Sequence, residues 1–169
     1  MEPMIIEALG RNNIKIQNAH ISLKTRNFSG RKDQFNRDGN RKFTIVLEDQ
    51  EQFEFFAQRG VNVKIRQFED TNSGEIRDVG FIKVAVNLHS QYPPKIYVVN
   101  QNGPTELDES TIGSLDDAYI EKVNVILNVG RPYTIPNGGG EGRSLFLSEL
   151  VATIGQAPER FSFMSEYNI

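Results

Sequence analysis

Short runs in which apolar and polar residues alternate are the feature that most constrains the fold of this chain. They occur at 14–23, 43–47, 61–65, 81–88, 95–99, 120–129 and 144–154. A period of two places the apolar residues on one face, which is typical of half-buried strands. Turn-forming sequences rich in Gly, Pro and Asn separate these runs. Seven short strands predict a mainly β fold, either a barrel or a sandwich.

One segment departs from this alternation and predicts a helix over about 49–59, after the second strand. Asp49 is a favourable N-cap, and Gln52 stands at the capping-box position three residues later. Gly60 is a natural C-terminal stop. We expect this short helix to cover one end of the sheet.

Length and composition favour one domain over residues 1–169. A chain of 169 residues is long enough to bury a sizeable core, and no linker or repeat divides it. The absence of cysteine excludes a disulfide framework, thiolate metal sites and cysteine nucleophiles. No apolar run approaches the length of a membrane span, and the N-terminus has no signal-peptide pattern. We therefore expect a cytoplasmic protein with no membrane partner.

Positive charge is concentrated in one part of an acidic chain. The formal net charge is −3, yet residues 11–42 hold nine Lys or Arg against two Asp. Such segregation creates a local field that attracts polyanions despite the unfavourable net charge. Phenylalanines stand among these cations, and cations with aromatic rings are typical of surfaces that bind single-stranded nucleic acid.

The candidate nucleic-acid-binding residues combine cations and rings. In the long loop and the strand after it they are Arg26, Phe28, Arg31, Lys32, Phe35, Arg37, Arg41, Lys42 and Phe43. A solvated hairpin connection would also be polar, but a structureless loop of this length is unusual unless it binds something. The other candidates lie along one strand or near strand ends, and together they complete a groove: Lys64, Arg66, Phe68, Tyr97, Arg131, Tyr133 and Arg143.

Enzymatic interpretations have less support. His20 and His89 show no spacing typical of a catalytic triad. A magnesium-dependent nuclease is one alternative, with oxygen ligands from Glu106, Asp108, Glu109, Asp116 and Asp117. A second alternative is a β-rich structural or protein-interaction module whose loop contacts other subunits. We expect no catalysis, no cofactor and no metal.

The order of several motifs resembles that of the single-stranded DNA-binding proteins of tailed bacteriophages, which are built on an oligonucleotide-binding (OB) barrel. The resemblance rests on 27–30, 39–47, 60–64, 115–117, 145–147 and 151–154, which span most of the chain. It implies a five-stranded antiparallel OB-like barrel with extra strands or hairpins.

The same resemblance implies a function without catalysis. Such a protein coats and protects single-stranded DNA during phage replication or recombination in the host cytoplasm. The strand would cross the second and third barrel strands and adjoining loops. That surface maps to Arg41, Phe43, Lys64, Arg66 and Phe68, with a mobile loop at 26–42 acting as a clamp.

The end of the chain departs from this family pattern. Many members end in a glycine-rich acidic tail that recruits replication partners, whereas 161–169 is aromatic and nearly uncharged. This departure argues against recruitment of partners through the tail, and we expect the segment 156–169 to pack on the barrel, to join a neighbouring subunit or to serve as a short docking peptide. Replication or recombination proteins are the expected protein partners of the domain. The expected assembly is a monomer or a small homo-oligomer.

Overall fold

The computed structural model describes residues 3–22, 24–32 and 36–155. Within them lie nine strands, one α-helix, α1 (Gln50–Ala57), and a 3₁₀ helix (Ile112–Asp116). The strands are β1 (Ile5–Leu9), β2 (Asn13–Gln17), β3 (Arg41–Leu47), β4 (Lys64–Glu69), β5 (Ile76–Val86), β6 (Lys95–Asn100), β7 (Gly103–Leu107), β8 (Ile120–Thr134) and β9 (Glu141–Ile154). The predicted mainly β class is confirmed. The expectations for the tail at 156–169 fall outside the described residues.

Five strand segments pair in a ring. The ladders run β2-β8-β9-β5-β3, and the chain after β2 then pairs with β3. Single bridges join Ile21 to Ile45 and Asn27 to Lys42. The backbone N–H of Val46 also donates to the carbonyl of His20 at 2.7 Å. These bonds join the two ends of the path, an order consistent with an OB-like barrel.

Two details of the prediction are wrong. The barrel is not purely antiparallel, because β5 and β9 run parallel where Val84 pairs with Leu145, and β6 also lies parallel to β9. An extra strand outside the ring, β1, was not predicted, whereas the helix follows β3, the second strand of the ring in chain order, as predicted. β1 is almost wholly exposed, so it has no alternating pattern, and it is held by pairing with β2.

The barrel interior is filled by the inward residues of the ring strands. In β3 these are Phe43, Ile45 and Leu47, all fully buried. The corresponding residues of β5 are Ile82, Val84 and Val86. Together with the inward residues of β2, β8 and β9, they form one hydrophobic cluster.

Helix α1 begins and ends as its sequence predicts. The Asp49 carboxylate accepts from the backbone N–H of Gln52 at 2.9 Å, and the Gln52 side chain accepts from the N–H of Glu48 at 2.8 Å. Phe53 and Phe56 are buried under the helix. Gly60 has φ of 81°, a left-handed conformation that suits glycine. No helix in the described part of the chain has the length and apolar character needed to cross a bilayer.

The contact between α1 and β5 depends on Gly80. A Cβ at this position would lie 2.7 Å from the Phe53 ring and 3.0 Å from Val63. We expect Gly80→Ala to lower the free energy of unfolding by about 1–3 kcal/mol through overpacking. Urea unfolding followed by circular dichroism measures this loss. The loss should shrink in a Phe53→Leu background, and an equal loss in both backgrounds would contradict the proposed contact.

Candidate nucleic-acid interface

The outward positions of β3, β4 and β5 form a continuous surface on the side of the sheet away from the core. In β5 these positions alternate with the buried Ile82, Val84 and Val86. Phe81 pairs with Val46 of β3 on one edge and with Lys64 of β4 on the other. Register partners share a face, so side chains of all three strands meet there.

This outer face carries positive charge and aromatic rings. Its side chains are Lys42, Thr44, Val46, Lys64, Arg66, Phe68, Arg77, Val79, Phe81, Lys83 and Ala85. Five of these side chains are cationic and none is a carboxylate. The rings of Phe68 and Phe81 lie 6.3 Å apart. Phosphates and bases can both find partners on such a face.

A cavity of about 240 Å³ extends the outer face toward β9. Lys83, Arg143, Tyr133 and Phe146 line it, together with Val61, Asn62, Ala85, Ser144 and Leu145. A Cβ at Gly130 would lie 2.7 Å from the Phe146 ring, and one at Gly142 would lie 3.0 Å from the Tyr133 hydroxyl. These glycines therefore leave room for two partly exposed rings beside two cations.

The structure contradicts the predicted role of two aromatic residues. Phe28 and Phe43 are fully buried, and their rings stack on each other with centroids 5.3 Å apart. Phe43 belongs to the inward set of β3. Phe28 enters the core because the chain at Asn27 pairs with Lys42. Neither ring offers a face to a nucleobase.

The guanidinium groups of Arg26 and Arg41 contact other groups of the protein and are not free cations. The Arg41 side chain is only 10% exposed. Its Nε donates to the carbonyl of Phe28 at 3.1 Å, and its Nη2 lies 3.7 Å from the Glu109 carboxylate. Arg26 donates to the carbonyl of Ala118 at 3.2 Å. Both guanidinium groups are thus engaged within the fold.

The described parts of the basic loop, 26–32 and 36–42, are hydrogen-bonded rather than structureless. The buried Asn36 amide donates to the carbonyls of Arg31, Arg37 and Asn40 at 2.8–3.1 Å. The Asp116 carboxylate accepts from the backbone N–H groups of Phe28 at 2.6 Å and Ser29 at 3.2 Å. On this base Arg31, Lys32 and Arg37 are exposed. Phe35 lies outside the described residues.

The remaining predicted residues are divided between this surface and other parts of the fold. Lys42, Lys64, Arg66 and Phe68 lie on the outer face, and Tyr133 and Arg143 line the cavity beside it. Arg131 is exposed farther along β8. Tyr97 lies on β6, beside Glu106 and Val151 in the ladders. Tyr97 lines neither the cavity nor the outer face.

Sequence reasoning missed Arg77, Phe81, Lys83 and Phe146. Lys83 alternates with Ile82 and Val84, and Phe146 stands between the buried Leu145 and Leu147. The outward positions of these runs were therefore readable from the sequence. Their meeting on one surface depends on the pairing of β5 with β9, which joins residues distant in sequence.

Two of the carboxylates considered for a nuclease, Asp108 and Asp116, have other roles. Asp116 accepts from the loop backbone, as described above. Hydrogen bonds from the side chains of Ser110 and Thr111 hold the pKa of Asp108 below its ordinary value. Within 3–22, 24–32 and 36–155, no group of three or more His, Asp or Glu residues is arranged to hold a metal ion. The magnesium-site hypothesis therefore has no geometric support in this part of the chain.

Comparison with protein families decides between the remaining interpretations. The family model of a phage ssDNA-binding domain matches residues 7–160. The chain belongs to this family. The predicted resemblance to phage single-stranded DNA-binding proteins is thereby confirmed. The comparison with curated protein sequences found no match.

Solved structures similar to this phage ssDNA-binding domain include proteins of two bacteriophages. The single-stranded DNA-binding protein from bacteriophage Enc34 is 12% identical, with 93% of each chain covered and a TM-score of 0.48. The same Enc34 protein in complex with ssDNA is 15% identical, covers 94% of this chain and 99% of that chain, and has a TM-score of 0.46. The gp2.5 protein encoded by bacteriophage T7 is 10% identical, covers 94% and 95%, and has a TM-score of 0.43.

Because Phe28 is buried and Phe68 is exposed, substitution of Phe28 by alanine should affect stability, whereas the same substitution of Phe68 should affect DNA binding. Phe28→Ala should lower the free energy of unfolding by about 3–5 kcal/mol, because it empties a core site. Phe68→Ala should change stability by about 0.5 kcal/mol or less, while the removal of its stacking face weakens single-stranded DNA binding. Urea unfolding and fluorescence anisotropy measure the two effects. Wild-type stability in Phe28→Ala would show that the ring is not a core residue.

Proposed function

We propose that this phage ssDNA-binding domain holds a single strand along the outer face of β3, β4 and β5 and across the cavity at Lys83 and Arg143. The carboxylate-free outer face is the observation that supports this proposal most strongly. Its five cations attract phosphates, and Phe68 and Phe81 stack with bases.

Charge segregation makes this surface effective in a chain of net charge −3. Charges farther away than about 8 Å are largely screened at physiological salt. A bound phosphate therefore interacts mainly with the cations beside it and only weakly with distant carboxylates. The local surface governs binding, not the net charge.

The basic loop supplies a second group of cations. Arg31, Lys32 and Arg37 are exposed, while Asn36 and Asp116 fix the backbone that carries them. A loop fixed at its base loses less conformational entropy on binding than a free segment does. In this proposal the loop contacts phosphates beside the main surface.

The domain then acts by coating and protecting single strands during phage replication and recombination. It would work without catalysis, in the host cytoplasm, as one domain with little dependence on base sequence. Replication or recombination proteins would be its further partners. Family membership favours this function over a β-rich structural or protein-interaction module.

Binding by phosphate contacts predicts a strong dependence on salt. If about four to six phosphates are contacted, the logarithm of the binding constant should fall against the logarithm of salt concentration with a slope of roughly −3 to −4. Anisotropy of a labelled oligothymidine, titrated at several salt concentrations, measures the slope, with duplex DNA as the control. Absence of binding at low salt, or a flat salt response, would overturn the proposed function.

Neutralising cations should reduce this slope by about 0.7 for each phosphate that the variant no longer binds. We expect a reduction near 1.4 for Lys83→Ala with Arg143→Ala, and near 2 for the Arg31→Ala, Lys32→Ala, Arg37→Ala triple variant. Lys95→Ala is the matched control, because this exposed lysine lies beside Glu149 and off the outer face. If the control lowers the slope as much as a cavity variant does, the cations act only through overall charge.

A further inference from the structure

A second, larger cavity lies next to the cationic one. It encloses about 490 Å³ and forms where the chain leaves β5 and passes over β9. Its lining consists of Asn87, Ser90, Gln91, Tyr92, Asn128, Phe146, Leu147 and Ser148. Phe146 lines both cavities, so they adjoin at this residue.

The two cavities differ in their chemistry. The smaller one contains Lys83 and Arg143, whereas the larger one is lined by three carboxamides, two serines, two rings and a leucine, with no charged side chain. Neutral donors and acceptors beside aromatic faces suit a flat, uncharged, hydrogen-bonding ligand. An unpaired nucleobase has these properties.

Several polar groups of the larger cavity are free to meet such a ligand. In the described chain, the side chains of Gln91 and Ser148 make no hydrogen bond to other protein groups. Asn87 uses its Oδ1 to accept from the N–H of His89 at 3.2 Å, which leaves its Nδ2 donors. Asn128 donates through Nδ2 to Asn13 at 3.1 Å, which leaves its Oδ1 acceptor. Donors and acceptors are both available.

The two rings of this cavity are accessible to a ligand. Tyr92 is 83% exposed and precedes Pro93-Pro94, and a following proline restricts the backbone of the residue before it. Phe146 is 38% exposed and lies against Gly130. Both rings therefore offer a face on which a base can stack.

We propose that this cavity binds one nucleobase of the single strand and reads its edge. The base stacks on Phe146, and the adjoining phosphate lies near Lys83 and Arg143. The edge of the base faces the amides of Asn87, Gln91 and Asn128 and the hydroxyl of Ser148. The inference rests on the proposed function and deepens it, because the edges of the four bases differ in donors and acceptors. The surface therefore has a base preference at this one position.

The experiment distinguishes recognition of the base edge from an affinity for single strands that is the same for every base. Wild type, Gln91→Ala and Ser148→Ala are titrated with labelled oligothymidine, oligocytidine and oligoadenosine deoxynucleotides at fixed salt. We expect each substitution to change the ratio of dissociation constants between bases by about threefold to tenfold. Gln101→Ala, an exposed glutamine in the β6–β7 turn, is the control and should leave all ratios unchanged. Thermal unfolding verifies that every variant is folded.

Phe146→Ala tests the stacking part of the proposal. Loss of one stacked base corresponds to about fivefold to 150-fold weaker binding, and we expect this weakening with all three oligonucleotides. Tyr119→Ala removes a ring that is exposed to a similar degree but lies outside both cavities, and it should leave affinity unchanged.

The outcomes distinguish this inference from the proposed function. Ratios between bases that are the same in wild type, Gln91→Ala and Ser148→Ala overturn base reading while leaving single-stranded DNA binding intact. Equal weakening with all three oligonucleotides in the Gln91 and Ser148 variants also overturns it. Failure of wild type to bind any of the three overturns the proposed function itself.

Discussion

The stack of Phe28 on Phe43 is the contact on which both the closed ring of strands and the basic loop depend. Both rings are fully buried, 5.3 Å apart between centroids. Beside them Asn27 pairs with Lys42, and the Phe28 N–H donates to the buried carboxylate of Asp116. The stack thus joins the chain after β2 to β3 and to the 3₁₀ helix. Without it, the loop would lose the fixed position from which Arg31 and Arg37 project.

This core contact also fixes which side chains lie on the outer face, where we propose that the nucleic acid binds. Side chains in a strand alternate between faces, so a register shift of one residue would turn the whole outward set of β3 inward. With Phe43 buried beside Phe28, Lys42 must face outward. The pairing of Lys42 with Ala85 then sets Lys83 and Phe81 on the same side. The register of β3 with β5 therefore determines both the core packing and the side chains of the outer face.

The sequence predicted correctly those parts of the fold that depend on residues close together in the chain. The capping box of α1 and the inward residues of β3 follow from neighbouring residues alone. Phe28 could not be placed in this way, because its neighbours in the chain are polar and cationic, and only pairing with β3 draws it inward. β1 has no alternation of apolar and polar residues because nearly all of its residues are exposed. The cavities at Phe146 join strands far apart in sequence, so their residues were visible separately but not as a site.

In the proposed binding mode, the two cavities that adjoin at Phe146 contribute to the binding free energy in different ways. In this mode, contacts of phosphates with Lys83 and Arg143 release counterions, so their contribution weakens as salt rises. Stacking and hydrogen bonding in a cavity without charged side chains release none, so their contribution depends little on salt. The cationic contribution is therefore the larger share of the binding free energy at low salt. As salt rises, the neutral contribution becomes a larger share of the total, and any discrimination between bases becomes a larger fraction of the remaining affinity.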